Sequence, residues 1–295
     1  MQYDESKMSR RTFIGGAATL AAATLGVPRN VFAEAAPNSK FGGVLIGTNT
    51  YSYRSLPSSA EELLAYLRQC GLSTVELKGE QAEEFAKRHT PATGPDGPMD
   101  GYEALGKMYR DAGVDIHIVK FGKIGDEAMS DQEVDYYFRA AKASGAKCIT
   151  RELSVDVAKR LGPLADKHGI MIAFHNHMQI TPTTYDGDIL SYGQLLRINL
   201  DIGHYVAGTS ESPIPIIEKH HERIYSLHLK DRKKNEGPNV PWGQGDTPIA
   251  EVLQLVKNNK FPIFGDIELE YDIPEGSDAV AEVTKCVEYC RAALA

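Results

Sequence analysis

The chain has 295 residues, of which 42% are hydrophobic and 24% are charged. These fractions are close to the average of soluble globular proteins, and they exclude a disordered, collagen-like or disulfide-scaffold protein. The formal net charge of −8 argues against nucleic acid or an anionic membrane surface as the main partner. The length fits one large α/β domain or two small ones.

The N-terminal segment has the pattern of an export signal. Residues 9–14 read Ser-Arg-Arg-Thr-Phe-Ile, a twin-arginine pattern, and an apolar, alanine-rich stretch follows over 15–27. This stretch is shorter than the roughly 20 residues that a membrane-spanning helix needs. Val31 and Ala33 are compact residues three before and one before a candidate cut, which suits cleavage after Ala33. We therefore predict that residues 1–33 are a twin-arginine signal peptide and that the mature protein is periplasmic or secreted, without stable membrane insertion.

Processing at that position would make the mature chain more acidic. Residues 1–33 carry four basic and two acidic side chains, so their removal changes the net charge to −10. The four cysteines, Cys70, Cys148, Cys286 and Cys290, lack the paired spacing of a structural zinc site. Cys286 and Cys290 lie one helical turn apart, and we expect both to pack in the core rather than form a disulfide.

Short β-type runs alternate with amphipathic helical stretches through the rest of the chain. The predicted strands are 44–47, 74–77, 115–119, 147–150, 170–174, 198–202, 224–229 and 263–269. The clearest helices are 60–69, 131–143 and 249–258, and the proline- and glycine-rich stretch 90–98 is read as a loop within one unit. Eight β/α units in about 260 residues predict a single-domain (β/α)8 TIM barrel over 34–295. The alternative is a doubly wound sheet with two extra units.

The predicted strand ends are unusually polar. In a barrel of this kind the functional residues project from the C-terminal ends of the strands. Here those ends carry Glu152, His175, His177, Asp201, His204, His228, Glu268 and Glu270. Burial of so many titratable groups without a cation is costly, and a divalent metal offsets this cost. Carboxylates combined with imidazole suit Mn, Co, Zn or Fe better than Ca. The alternative is a structural network of salt bridges.

Four motifs carry a family resemblance. They are Leu-Asp-Ile-Gly-His at 200–204, Ser-Leu-His-Leu-Lys-Asp at 226–231, Trp-Gly-Gln-Gly at 242–245 and Ile-Glu-Leu-Glu-Tyr at 267–271. In this order and spacing the chain resembles the xylose-isomerase-like TIM barrels, a superfamily broadly described as sugar phosphate isomerases/epimerases. The resemblance implies one divalent metal ion (Mn, Co, Zn, Fe or Mg) held by Asp201, His228 and Glu270, with Glu268 as the competing choice to Glu270.

One position departs from the family pattern. Epimerases of this family have a glutamate at the end of the fifth barrel strand, where it binds metal and moves a proton; this chain has His175 there. Because histidine still ligates metal, His175 completes the predicted ligand set. The proton-transfer role is then open to Glu152, His177 or Glu270. For Glu152 the alternative is an ion pair with Arg151 or a neighbouring lysine.

The resemblance also implies residues that contact substrate. His204 matches a family histidine that contacts a substrate oxygen, while Lys230 either binds a substrate hydroxyl or pairs with Asp231. His117 and Trp242 complete the predicted substrate contacts. Tyr51 and Tyr53, like Trp242, either form aromatic walls of the pocket or pack in the barrel.

This site predicts enolisation chemistry. A base next to a metal-chelated carbonyl removes a proton to give an enediolate. The favoured interpretation is a sugar isomerase or epimerase. The alternative on the same site is a keto-sugar dehydratase or a keto-glycoside lyase. An alternative of another class is a non-catalytic periplasmic carbohydrate-binding protein.

The predicted partner is a small neutral sugar or keto-sugar, not nucleic acid. The export signal favours an unphosphorylated substrate, and the chain shows no arginine cluster or glycine-rich phosphate loop at a helix start. A homo-oligomer is compatible with the sequence.

Overall fold

The computed structural model describes residues 36–90 and 94–295. The predicted signal peptide lies outside the described residues and stays a prediction, and so does the part of the 90–98 loop at 91–93. The unit formed by Ala36–Ala295 is a closed barrel of eight parallel strands surrounded by helices. The predicted TIM-barrel fold is therefore confirmed.

The eight barrel strands follow one short strand that the sequence analysis did not include. The bounds are β1 Lys40–Phe41, β2 Val44–Asn49, β3 Thr74–Lys78, β4 Asp115–Lys120, β5 Cys148–Glu152, β6 Met171–His175, β7 Leu196–Asp201, β8 Ile224–Leu229 and β9 Phe264–Ile267. β1 pairs antiparallel with β2 across a turn in which Gly42 and Gly43 both have positive φ, a conformation that glycine adopts at little cost.

Closure of the barrel decides which strand ends face one another. Each strand from β2 to β9 pairs in parallel with the next, and β2 also pairs with β9, where Gly47 lies opposite Asp266. All eight C-terminal ends therefore meet at one end of the barrel. β5 lies four strands from β9 in either direction, so these two strands are on opposite sides of the barrel.

Nine α-helices pack around the described part of the barrel. They are α1 Ala60–Gln69, α2 Gly79–His89, α3 Asp100–Asp111, α4 Asp131–Ser144, α5 Val155–His168, α6 Ile202–Thr209, α7 Ile214–His220, α8 Ile249–Asn259 and α9 Ala279–Ala293. Ser59 and Ser130 begin α1 and α4 with complete capping boxes, in which Glu62 and Glu133 bond back to the cap residue. Gly145 and Gly169 end α4 and α5 in the left-handed conformation, as the sequence predicts.

The core fills the space between the strands and the helices. All four cysteines are buried and free, as expected from their spacing. Tyr53 is fully buried, and its hydroxyl contacts the Cys70 thiol at 3.5 Å, so this tyrosine belongs to the core. None of the described helices combines the length and the apolar character that crossing a membrane requires.

Candidate active site

A cavity of about 280 Å³ opens at the C-terminal end of the barrel strands. Its walls are formed mainly by polar and titratable side chains. They are Asn49, Tyr51, Glu76, Lys78, Lys120, Glu152, His175, His177, His204, Lys230, Glu268 and Glu270. Several strand ends thus contribute to one site, as the sequence analysis predicts for a barrel of this class.

Four buried side chains at the base of this cavity could hold a metal ion. His175 ends β6, Asp201 ends β7, His228 lies in β8 and Glu268 directly follows β9. One ligand atom from each of the four lies within 4.8 Å of every other. The register explains this proximity for two of them, because Asp201 and His228 are direct partners across β7 and β8. We call these four residues the ligand cluster.

Hydrogen bonds orient both histidines of the ligand cluster. His228 Nε2 lies 2.7 Å from a Glu76 carboxylate oxygen, and His175 Nδ1 lies 2.9 Å from Asn199 Oδ1. In the neutral tautomer that donates the bond to Asn199, the opposite ring nitrogen of His175 presents a lone pair. Burial alone would lower the pKa of His228, but Glu76 and Glu268 raise it well above its usual value, so without a metal both ring nitrogens of His228 carry protons. A cation bound at Nδ1 would replace one of them. Carboxylate and carbonyl partners of this kind fix the orientation of metal-ligating histidines.

Three buried atoms of the cluster have no hydrogen bond of good geometry among the described residues: Asp201 Oδ2, Glu268 Oε2 and His228 Nδ1. The two carboxylate oxygens do lie 2.9 Å and 2.6 Å from the Lys230 ammonium. His228 Nδ1 lies only 3.2 Å from Glu268 Oε2 and 3.9 Å from Asp201 Oδ2. Such atoms facing one another are costly unless a cation or a proton lies between them.

Burial and neighbouring charges shift the pKa values of the residues in the ligand cluster. Burial raises the pKa of Asp201 to about 6, and the neighbouring Glu268 carboxylate adds to this rise. Burial alone would also raise the pKa of Glu268, but Lys230 and His228 hold it well below its usual value. Burial and the nearby His228 keep the pKa of His175 well below its usual value, so this histidine is neutral, as a ligand must be.

The position of Glu270 differs from the ligand role that the sequence analysis preferred. Glu268, the competing choice, belongs to the ligand cluster, whereas Glu270 lies at the cavity wall with its carboxylate 2.6 Å from Lys230 Nζ. The reason is that β9 ends at Ile267. Glu268 directly follows it and bonds through its amide to Leu229 O at the end of β8, next to His228, whereas Glu270 lies two residues farther along the chain from the strand end.

Lys230 is a buried cation that contacts three carboxylates. Its Nζ lies 2.9 Å from Asp201 and 2.6 Å from both Glu268 and Glu270. Burial alone would lower the pKa of Lys230, but these carboxylates raise it, so Lys230 is an ammonium. The alternative pairing with Asp231 does not occur, because that carboxylate accepts backbone N–H bonds in the 243–247 turn instead.

Glu152 and His177 form a second titratable pair, nearer to the mouth of the cavity. Their side chains are 38% and 56% exposed, and His177 Nε2 lies 3.0 Å from Glu152 Oε2. Lys120 contacts the other carboxylate oxygen at 3.0 Å. The expected ion pair of Glu152 with a neighbouring lysine therefore exists, whereas Arg151 pairs with Asp126. Exposure and a polar partner leave both groups accessible to a ligand.

His204 lies between two cationic hydrogen-bond donors. Arg232 donates to its Nδ1 at 2.7 Å, and the Lys230 ammonium lies 3.2 Å from its Nε2. Burial, together with the adjacent Lys230, lowers the pKa of His204, so the ring is neutral. The ring lies in the cavity wall beside Lys230, a position compatible with the substrate contact that the family resemblance implies.

Two predicted substrate contacts are not brought to this cavity. His117 is buried inside the barrel, where its Nε2 lies 3.0 Å from Asp266 and its ring stacks on Phe264 near the start of β9. It lies in the middle of β4 rather than at its C-terminal end. Trp242 lies in a separate pocket and packs edge-on against Tyr289 of α9. Of the predicted aromatic walls, Tyr51 lines the cavity.

Two site residues were missed by sequence reasoning. Glu76 and Lys120 lie at or near the ends of β3 and β4, and both line the cavity. The polar residues at the ends of the predicted strands, within 75–78 and 116–120, could have indicated that these two residues belong to the site. Glu76 binds His228, the Thr150 hydroxyl and the Asn199 amide, and these partners become neighbours only when the barrel closes.

We expect Glu76→Gln to weaken metal affinity by about tenfold, since a loss of 10–100-fold is typical when a partner of a ligating histidine is changed. The amide keeps the shape of the side chain but removes the negative charge that strengthens His228 as a ligand. Competition with a chromogenic chelator measures the effect. Glu282→Gln is the matched control, because Glu282 is also buried and accepts a hydrogen bond from Tyr271. Equal affinities in the two variants would contradict the role of Glu76.

Curated relatives match part of the chain. An inosose dehydratase of Bacillus thuringiensis (strain Al Hakam) is 31% identical over 121 residues, which is 40% of this chain and 39% of the relative. An inosose dehydratase of Bacillus anthracis is 30% identical over 125 residues, 41% of this chain and 40% of the relative. The match therefore spans about two fifths of the length of these relatives.

Solved structures match nearly the whole barrel. A sugar phosphate isomerase/epimerase of Parabacteroides distasonis aligns with a TM-score of 0.62 and 21% identity over 86% of this chain and 96% of its own. The probable 3-DHS dehydratase AsbF of Bacillus anthracis aligns with a TM-score of 0.64 and 15% identity over 83% of this chain and 98% of its own. The 3-keto-D-glucoside 4-epimerase YcjR of E. coli aligns with a TM-score of 0.60 and 13% identity over 84% of this chain and 100% of its own. At these identities the likeness shows the fold alone.

The family comparison extends over most of the barrel. Residues 64–290 match the family described as "Xylose isomerase-like TIM barrel", and they include every member of the ligand cluster. The resemblance seen in the four sequence motifs is thereby confirmed. This chain belongs to the xylose isomerase-like TIM-barrel family.

Proposed function

We propose that this protein is a divalent-metal-dependent isomerase or epimerase that enolises a sugar or keto-sugar. The observation that carries the proposal is the ligand cluster, of which His175 and Glu268 line the same cavity as the Glu152–His177 pair. Two imidazoles and two carboxylates suit Mn, Co, Zn or Fe, and Mg is also compatible with the carboxylates. Bound there, a divalent ion supplies Lewis-acid polarisation of a substrate carbonyl, which acidifies the neighbouring C–H bond.

Proton transfer is assigned to groups on two sides of the cavity. Glu152 ends β5 and Glu270 follows β9, on opposite sides of the barrel. Epimerisation requires removal of a proton from one face of the substrate and its return to the other, and this arrangement suits both steps. The Glu152–His177 pair removes the proton from one face of the substrate. Glu270, held by Lys230, returns a proton to the opposite face.

Other side chains bind and orient the substrate. His204, in the cavity wall, contacts a substrate oxygen, and the Lys230 ammonium beside it stabilises negative charge that develops there. Donors fixed by burial need no reorganisation when charge develops, which is why such groups contribute strongly to catalysis. The twin-arginine pattern supports action on an unphosphorylated sugar outside the cytoplasm.

A dehydratase or lyase is the second candidate function. Two of the relatives reported above are named inosose dehydratases, and a solved neighbour is named a probable 3-DHS dehydratase. Elimination begins with the same proton removal as epimerisation. It then needs a group that stabilises or protonates the oxygen of the leaving group. The Lys230 ammonium, within 2.6 Å of Glu270, is suited to stabilise that oxygen.

Elemental analysis followed by isotope exchange tests the proposal. We expect the protein purified without chelator to contain about one equivalent of Mn, Co, Zn or Fe. We also expect it to incorporate deuterium from D2O into a keto-sugar at the carbon next to the carbonyl, as followed by NMR. Appearance of an enone product instead of an epimer would select the dehydratase or lyase. Absence of both metal uptake and exchange would contradict the proposal and favour a carbohydrate-binding protein.

A further inference from the structure

A second groove, of about 320 Å³, opens beside the catalytic cavity. It lies between the start of α2, the loop that follows β4, and α4. The wall residues that matter here are Glu80, Glu83, Lys120, Phe121, Gly122 and Tyr137. We call it the rim groove, because its walls follow the C-terminal ends of β3 and β4.

The rim groove adjoins the catalytic cavity at Lys120. This residue lines both spaces, and its ammonium contacts Glu152 of the proton-transfer pair at 3.0 Å. The catalytic cavity alone, at about 280 Å³, is just below the usual range of ~300–1,000 Å³ for small-ligand pockets. Lys120 is thus a common wall of the two spaces, and a ligand larger than the catalytic cavity reaches the rim groove by passing this side chain.

The charged groups of the rim groove balance one another. Two carboxylates, Glu80 and Glu83, are matched by two ammonium groups, Lys120 and Lys123. A wall with balanced charge does not favour an anion or a cation, but it offers donors and acceptors to the hydroxyl groups of a neutral ligand.

Aromatic rings complete the rim groove. Phe121 and Tyr137 pack with ring centroids 4.7 Å apart at an angle of 47°. Only 3% of the surface of Phe121 is exposed, so this residue forms floor rather than rim. Apolar ring surface combined with hydrogen-bonding groups matches the two kinds of surface of a sugar ring, its C–H face and its hydroxyl edge.

We propose that the rim groove binds a second sugar ring of the substrate. The substrate is then a keto-disaccharide, or a keto-glycoside with a sugar-sized aglycone, whose reacting ring lies in the catalytic cavity. This inference rests on the proposed function and adds the substrate class to it.

Two glycines of the groove differ in the space around them. A Cβ at Gly79 would lie 2.7 Å from the Phe121 ring and 2.9 Å from Lys120 O, so this glycine permits close packing of the floor. A Cβ at Gly122 would meet no heavy atom within 4 Å, and its φ is not in the left-handed region. A leucine at 122 therefore obstructs the rim groove without a clash or backbone strain.

The experiment compares a long and a short substrate in Gly122→Leu. The probes are a glucosyl disaccharide oxidised to its 3-keto form and the corresponding methyl 3-keto-glucoside. We expect Gly122→Leu to lower kcat/KM for the disaccharide at least tenfold and to leave the methyl glucoside within about twofold. Gly187→Leu is the matched control, because Gly187 is equally open, has φ −89° and lies outside both spaces.

A uniform loss on both substrates, or no loss on either, would overturn the assignment of the rim groove. If the wild-type enzyme transforms neither probe, the proposed function fails, and the groove is then tested by calorimetry with the unoxidised disaccharide and methyl glucoside. Tighter binding of the disaccharide that Gly122→Leu abolishes would support the groove on its own. Equal binding of the two sugars, or binding insensitive to Gly122→Leu, would overturn it.

Discussion

Asp201→Asn is expected to abolish metal binding and to lower turnover by about a thousandfold or more. The amide removes the charged oxygen that faces His228 and Lys230, and Lewis-acid catalysis contributes several kcal/mol at about 1.4 kcal/mol per tenfold. Asparagine is preferred to alanine here because Asp201 also begins α6, where its other oxygen accepts the His204 amide at 2.7 Å. Asparagine serves this cap about equally well, so the fold is retained.

The measurement is metal content per chain together with deuterium exchange and a thermal melt. Asp278→Asn is the control, since Asp278 caps α9 by the same kind of bond, with the Ala281 amide at 2.8 Å, and lies outside the cavity. Full metal content in Asp201→Asn would contradict its ligand role. A thermal melt without a cooperative unfolding transition would instead point to a structural role of Asp201. In that case the metal measurement is repeated on His228→Gln, which leaves the cap of α6 unchanged.

Glu152→Gln is expected to retain the metal and to lower the exchange rate of the substrate C–H by about 10²–10⁴-fold, the usual contribution of a general base. The reason is that the amide cannot accept a proton and no longer supplies the carboxylate that contacts His177 at 3.0 Å. That hydrogen bond raises the pKa of His177. The rate of deuterium incorporation, followed by NMR on the metal-loaded enzyme, measures the effect.

Glu61→Gln is the matched control for Glu152→Gln. Glu61 also pairs with a cation, Arg88 at 2.8 Å, but it lies on the surface between α1 and α2. We expect this control to exchange at the wild-type rate. Unchanged exchange in Glu152→Gln would move the role of the base to His177 or Glu270, which His177→Asn and Glu270→Gln then separate.

Elements defined by local patterns were predicted closely from sequence. The helix predicted at 60–69 and the strand predicted at 224–229 have the same bounds in the structure. Both depend on interactions within a few residues: the Ser59–Glu62 capping box begins the helix, and a short, almost continuously buried run defines the strand. The strand predicted at 263–269 was too long at both ends, since β9 spans Phe264–Ile267. Glu268 still donates to Leu229 at the end of β8, but the Leu269 amide donates to the Ser52 hydroxyl instead of to a strand.

The sequence by itself determined the fold class and the polar strand ends, since strand periodicity, helix caps and residue chemistry are local properties. It also determined His175, Asp201 and His228 as members of one cluster, because each ends or nearly ends a strand. Only the tertiary structure showed that Glu268, rather than Glu270, groups within 4.8 Å with the other three candidate ligands, because Glu268 directly follows the end of β9. It alone brought Glu76 to His228 across 152 residues of chain, because barrel closure, rather than sequence spacing, sets which side chains meet.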